Sequence, residues 1–316
     1  MKLLKLVPDD TNIDFMKVRN IALILSIIAT LASLALVGVR GLNLGIDFVG
    51  GQLVRVTFEK PVSIEQLRGQ IEGLQVGDAA IQEFGDSNTY QIRLPKPDGP
   101  DAQSIVVVNK LRAFLKQQYP TATIGAGESV SGKVSGELAW DGALSITFAM
   151  IGIALYIWFR FEWQFGVGAL ITLFHDVSMV LGFFAITQLP VDLNIVAAFL
   201  AIVGYSLNDT VVIYDRIREN LRKYRKMAII PLLNVSLNET LSRTIVTSLA
   251  IMLALFVLLI LGPPVLFGLT IAILLGTFVG TYSSIYISAP ALVWMGLQPD
   301  SFLRGGDKEA PEGQPA

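Results

Sequence analysis

The chain has 316 residues, 53% of them hydrophobic and only 16% charged, a balance that excludes an ordinary soluble globular protein and points to several membrane spans. It contains no cysteine and a single histidine, His175, which excludes disulfides, thiol catalysis, thiolate metal sites and a multi-histidine metal centre. The net charge of −2 carries no sign of a nucleic-acid partner, and there is no Gly-rich phosphate loop, so no cofactor, metal, nucleic-acid or enzymatic role is expected.

Residues 1–19, with Lys2, Lys5, Lys17 and Arg19, read as a cytoplasmic leader to a first span over 20–39. Its apolar core, 21–39, is too long for most signal peptides, and no small-x-small cleavage pattern closes it, so it is predicted to be a retained helix. Residues 40–140 have globular composition. Within them 52–58 alternates as a strand, and Ser63 with Gln66 forms a capping-box pattern opening a helix to about Gly73. Segments 79–84 and 89–94 read as a hairpin turning at 85–88. After the breaker 95–100, residues 102–118 are helical in period, and 121–129 supplies a last strand. The order βαββαβ predicts a ferredoxin-like domain between the first and second spans.

Five further apolar segments follow within 141–298, at 143–159, 165–187, 193–213, 241–261 and 265–295, the last with a break or overhang. This is a polytopic α-helical membrane protein of six spans. Lys and Arg concentrate in the leader, at Arg160, and in the loop 214–240, which holds Arg216, Arg218, Arg222, Lys223, Arg225 and Lys226; the turns 188–192 and 262–264 have none. With six helices both termini are then cytoplasmic, and 40–140 is periplasmic or extracellular. The tail, 299–316, reads as disordered and cytoplasmic.

One stretch departs from simple anchoring. Asn208 and Asp209 sit inside the fourth apolar segment, with Val211, Val212 and Ile213 continuing it. A carboxylate at that depth costs about 2.5–3.5 kcal/mol on insertion scales, which suggests a function rather than a boundary. Arg243, early in the fifth helix, falls at similar depth. It either pairs with Asp209 or snorkels to the interface, and the small residues Thr247, Ala250 and Ala254 on its face favour a neighbouring helix. Burial favours the neutral acid whereas a nearby guanidinium favours the carboxylate, so a change in their separation outlines a proton carrier. Ala201, Gly204 and Asn208 form a small face on the fourth helix where a neighbouring helix can pack, and Tyr205 lies one turn before Asp209. His175 and Asp176, deep in the third helix, read as an internal packing contact or as a proton relay. Ala272, Gly276, Gly280, Ser284 and Ser288 form a stripe of close helix approach. Ile213, Ile217, Leu221 and Tyr224 form an apolar stripe beside basic residues, read as an interfacial helix on anionic lipid over 214–226. Asn234 and Asn238 match glycosylation sequons, but on the cytoplasmic side. Asp215 lacks the second Gly-x-Gly-Asp element that an intramembrane aspartyl protease needs.

Three stretches taken together closely resemble the SecF type of the SecD/SecF family, within the resistance-nodulation-division superfamily. They are Gly45-Ile-Asp-Phe-Val-Gly-Gly51, Gly204-Tyr-Ser-Leu-Asn-Asp-Thr210 running into Asp215-Arg-Ile-Arg-Glu-Asn220, and Leu241-Ser-Arg-Thr-Ile-Val-Thr247. The resemblance spans roughly 19–297. It implies an accessory subunit of the Sec preprotein translocase that pairs with a SecD-like homologous subunit, meets the SecYEG channel, and uses proton flow to move exterior domains that pull or hold the exported preprotein. By the same match Asp209 is the proton acceptor and Arg243 its charge partner, and Asp47, Gly50 and Gly51 are the family signature, read as hinge or backbone-packing positions. Half of a small-solute or lipid exporter, and a passive scaffold, are the competing expectations; the short 188–192 turn leaves little wall for a solute cleft.

Overall fold

A computed structural model of the chain describes residue 8 and residues 11–298 except 75, 77, 78 and 96–100. The tail expected to be disordered, much of the leader and the 95–100 breaker beyond Pro95 lie outside the described residues. The described part is a six-helix membrane body with a small antiparallel sheet domain inserted after the first span.

The six spanning helices run Phe15–Arg40, Gly132–Arg160, Trp163–Thr187, Leu193–Lys223, Ile229–Leu261 and Phe267–Trp294. Several outrun their apolar segments. The second begins at Gly132, where Ser131 caps it by accepting from Val134 N at 3.4 Å. Its 29 residues make about 44 Å of helix, longer than a hydrocarbon core of about 30 Å. For this helix the Ser131 cap, rather than the onset of hydrophobicity, sets the start.

Within the first span, a single 3-10 turn, Phe15–Val18, leads into α1 (Arg19–Arg40). A short α2 (Ile46–Val49) precedes the domain, which comprises β1 (Gly51–Thr57), α3 (Ile64–Glu72), β2 (Ala80–Phe84), β3 (Asp86–Leu94), α4 (Asp101–Gln118), β4 (Thr123–Ile124) and β5 (Glu128–Val130). The sheet order is β2-β3-β1-β4, with β5 also on β1, and every pairing is antiparallel. That is the ferredoxin-like order expected from βαββαβ. Alternation puts Val54 and Val56 of β1, and Phe58 just past its end, against Leu67 and Ile71 of α3 and Leu111 and Leu115 of α4.

Three local expectations change. Ser63 precedes α3 but donates to Glu65 Oε2 at 2.7 Å instead of closing a box with Gln66. The hairpin is tighter than a four-residue turn: Gly85, at φ +73°, alone separates β2 from β3, because only glycine adopts that conformation without strain. The last strand is split, with Gly125 N donating to Arg55 O at 2.8 Å between the two pieces.

The remaining helices are α5 (Gly132–Arg160), α6 (Trp163–Thr187), α7 (Leu193–Lys223), α8 (Ile229–Leu261), α9 (Phe267–Ser283) and α10 (Ala289–Trp294). A π turn, Ser284–Ser288, joins the last two into the sixth span. Pro290 lacks the N–H a regular helix would present to residue 286, so the expected break is a local rewinding rather than an interruption. One apolar core lies near the sheet, built on Val180, Phe184, Ile195 and Ile202. A second lies at the opposite, basic end, built on Phe165, Tyr214, Ile217, Leu233 and Leu237.

Phe15 and Met16 plug into that second core. The chain there is read by two asparagines of α8. Asn234 Oδ1 accepts from Met16 N at 3.0 Å, while Asn238 accepts from Ile13 N and donates to Ile13 O, both at 2.9 Å. The two sequon asparagines therefore fasten the amino-terminal segment.

Candidate functional site

The site is organised by α7, whose N-terminus is held by two carboxylates. Asp192 Oδ1 accepts from Ile195 N at 3.2 Å, and Asp47 Oδ2, reaching over from α2, accepts from Leu193 N at 3.0 Å. Both satisfy N–H groups that have no intrahelical partner and face the positive end of the helix dipole. Burial pushes the Asp192 carboxyl above its ordinary range, and the charge of Asp47 adds to the effect. Gly50 and Gly51 follow at φ +74° and +120°, conformations that favour glycine. A Cβ on Gly50 would stand 3.3 Å from Gly132 Cα, so the motif forms a tight corner between α2, β1 and the start of α5.

The same corner is sewn to the turn between α6 and α7. Gly45 N donates to Val191 O at 2.7 Å, Val191 N to Asn43 O at 2.9 Å, and Asn43 Nδ2 to Gln188 O at 2.8 Å. From the sheet, Arg93 donates to Asn43 Oδ1 at 2.6 Å and to Leu44 O, and Gln82 donates to Gln188 O at 3.3 Å. The domain thus rests on the end of the membrane body through fixed polar contacts.

Asp209 lies on α7 sixteen residues beyond Leu193, about 24 Å along the helix. It is 3% exposed. Ser248 Oγ of α8 is its hydrogen-bond partner at 3.4 Å. Ser248 in turn accepts from Tyr205 OH at 3.2 Å and from Thr281 Oγ1 of α9 at 2.8 Å. The sequence motifs pointed to Asp209 and Tyr205 but not to Ser248 or Thr281, whose only signal is their place on polar, four-residue-spaced stripes of α8 and α9.

Arg243 is exposed and makes no ion pair with Asp209 within 4.0 Å. Its side chain lies along an open groove with Val211, Val212, Asp215, Glu219 and Glu239, so the expected close pair is a longer-range one in this conformation. Asn208 is also exposed, on a face with Ala201 and Gly204. A Cβ on Gly204 would meet nothing within 4 Å among the described residues, so no described helix of this chain packs closely on that glycine. Gly276 and Gly280 do: added Cβ atoms would lie 2.5 Å from Ile202 Cγ1 and 3.2 Å from Ser206 Cβ, which places the close crossing of α7 and α9 there.

A second polar cluster sits across α7. Asp176, fully buried, receives Ser206 Oγ at 2.5 Å and Ser283 Oγ at 2.9 Å on Oδ2, and lies 2.9 Å from His175 Nδ1 through Oδ1. It therefore joins α6, α7 and α9 at one point. The stripe Ile213, Ile217 and Leu221 does not lie on lipid: all three are buried against Leu232, Leu233 and Leu237. The helix continues unbroken from the membrane, and its flank of α8 covers the apolar face. Its charges are partly spent internally, Arg216 on Glu219 at 3.1 Å and Arg160 on Asp215 at 3.4 Å.

Comparison with known proteins agrees with this geometry. Residues 110–298 match the family described as Protein export membrane protein SecD/SecF, C-terminal, and residues 35–62, which contain Asp47, Gly50 and Gly51, match the SecD/SecF GG Motif. The chain is 40% identical over 306 residues to the Protein translocase subunit SecF of Pseudomonas aeruginosa, covering 96% of this chain and 98% of that one. It is 42% identical to the subunit of the same name from Rhodobacter capsulatus, over 93% of this chain and 92% of that one. The crystal structure of SecDF from Thermus thermophilus superposes with a TM-score of 0.84 at 33% identity, over 91% of this chain but only 39% of that longer one. A super-membrane-facing form of SecDF superposes at 0.63 with the same 33% identity. This six-span chain belongs to the SecD/SecF family of protein export membrane proteins.

Proposed function

We propose that this chain is the SecF-type accessory subunit of a bacterial Sec translocase, in the inner membrane with both termini cytoplasmic and the sheet domain outside. There it pairs with a SecD-like subunit, meets the SecYEG channel, and uses proton flow at Asp209 to move the domain that handles the emerging preprotein. The observation that carries this reading is that one helix, α7, bears the buried acid and is capped at its other end by Asp47 of the motif leading into β1. A change of charge at Asp209 alters how α7 sits against α8 and α9, and the cap passes that movement to the domain. Each charge crossing the membrane is worth about 2.3 kcal/mol per 100 mV, ample to reset contacts of this kind. The exposed face of Ala201, Gly204 and Asn208, beside exposed Arg243, suits a second helical bundle, which would bring the guanidinium and carboxyl closer or farther apart.

The test is Asp209→Asn in inverted vesicles containing the partner subunit. Proton-motive stimulation of preprotein export is expected to fall to the level of vesicles lacking the chain while copurification of the partner is unchanged. Undiminished stimulation would leave a passive scaffold as the answer.

A further inference from the structure

Ser248 sits where three helices meet, 1% exposed, and its hydroxyl is the only side chain among the described residues that hydrogen-bonds Asp209. A serine hydroxyl has one hydrogen and two lone pairs. Here three oxygens surround it: Asp209 Oδ2 at 3.4 Å, Tyr205 OH at 3.2 Å and Thr281 Oγ1 at 2.8 Å. Thr281 Oγ1 has a second neighbour, the Thr277 carbonyl, also at 2.8 Å. Its one hydrogen serves either Ser248 or that carbonyl.

These counts admit two complete arrangements on the same heavy-atom positions. With Asp209 ionised, Thr281 donates to Ser248, Tyr205 donates to Ser248, and Ser248 donates to the carboxylate. With Asp209 protonated, the acid donates to Ser248, Ser248 donates to Thr281, and Thr281 donates to the Thr277 carbonyl, while Tyr205 keeps its bond. Two hydroxyls rotate, and every hydrogen finds an acceptor in both states. At Asp176 two hydroxyls, Ser206 and Ser283, converge on the same carboxylate oxygen, Oδ2, and Ser283 Oγ also lies 3.1 Å from the Gly280 carbonyl. Asp176 thereby joins three helices, whereas Asp209 meets a single hydroxyl that is itself shared with α9.

We propose that Ser248 is a positioning residue for Asp209 and that Ser248 and Thr281 form a reversible two-hydroxyl switch. The switch stabilises the acid in either protonation state and ties that state to the contact between α8 and α9. The inference rests on the reading of Asp209 as a proton acceptor. The charged and titratable groups around Asp209 are Tyr205 on α7, Arg243 on α8, and His175 with Asp176 on α6 beyond Ser206; Arg160 at the end of α5 is occupied with Asp215. The sixth span, 267–294, contains no Asp, Glu, Lys, Arg or His, so hydroxyls are what it contributes.

The test uses the full chain with its partner in membranes, and measures carbodiimide labelling of Asp209 against pH by peptide mass spectrometry. Ser248→Ala removes the donor to the carboxylate, whereas Thr281→Val removes the oxygen that takes the Ser248 hydrogen when Asp209 is protonated. The two variants are expected to move the labelling midpoint in opposite directions, by about one pH unit each, the scale of losing a hydrogen bond made in only one protonation state. Ser248→Thr, which keeps the hydroxyl, is expected to restore the original midpoint. Midpoints unmoved in both variants, shifts of the same sign, or an Asp209 that is not labelled at any pH would each overturn the switch. If instead the midpoints split but Asp209→Asn leaves export unchanged, the switch stands and the export reading fails.

Discussion

Asp192 shows how a single buried group couples this protein to pH. Burial holds its carboxyl above the ordinary range, so the folded chain keeps the proton to a higher pH than the unfolded chain does. Stability then falls as pH rises through the window that opens at the ordinary carboxylate value and closes at the raised one. The melting temperature in detergent is accordingly expected to drop as pH rises from the ordinary carboxylate value. Asp192→Asn, which retains a capping oxygen, should flatten that slope; an equally steep slope in the variant would show that another group is responsible. Asp47 acts at the same helix end but through geometry. Asp47→Ala, by leaving Leu193 N without its partner, is expected to cost about 0.5–2 kcal/mol, read as a lower melting midpoint with the domain still folded.

At the level of elements, α7 and α9 approach closely only because Gly276 and Gly280 lack side chains where Ile202 and Ser206 pass. Gly276→Val forces the two helices apart and is expected to destabilise the bundle by about 1–3 kcal/mol, as overpacking does. Gly204→Val faces open space in the chain and should leave the melting midpoint of the isolated subunit within about 0.5 kcal/mol of the original. Equal effects at the two glycines would contradict the crossing. The π turn at Ser284–Ser288 belongs to the same interface. It follows three consecutive residues that face three different neighbours: Thr281 meets Ser248, Tyr282 OH lies 3.1 Å from Ser26 of α1, and Ser283 donates to Asp176. A regular helix through Pro290 would rotate these residues relative to their partners, so the irregular turn and the polar clusters depend on one another.

For the whole molecule, the sheet domain is attached to the membrane body through backbone and side-chain bonds at 41–45 and 188–192, with Arg93 as the link from the sheet. Burial lowers the Arg93 guanidinium from its ordinary value, and a guanidinium remains a cation in proteins. Arg93→Ala is expected to raise amide hydrogen exchange at Gly45 and Val191 while leaving β1 and β3 protected. Faster exchange throughout the sheet would mean that the domain depends on the membrane body for its fold. At the other end, Asn234 and Asn238 hold the amino-terminal segment against α8, so both ends of the bundle are closed by chain that is itself outside the spans.

The sequence by itself determined the six spans, the βαββαβ order and the position of a costly acid in the fourth helix, because hydropathy, strand alternation and charge placement are local and directly constrained by the medium. The glycine and aspartate of the exterior motif were legible as special positions, but not as the cap of a helix some 146 residues away in the chain. Helix starts were misjudged where the helix begins well before its apolar run, at Gly132, which Ser131 caps, and at Ile229, which has no side-chain cap. The stripe through Ile217 was assigned to lipid because amphipathicity states that a face is covered and leaves open by what; packing against α8 decided it. Likewise the pairing of Asp209 with Ser248 and Thr281, and of Asp176 with Ser206 and Ser283, depends on three helices crossing at one depth. Hydroxyl residues carry no distinctive spacing of their own, and only the tertiary arrangement gives them a carboxylate to face.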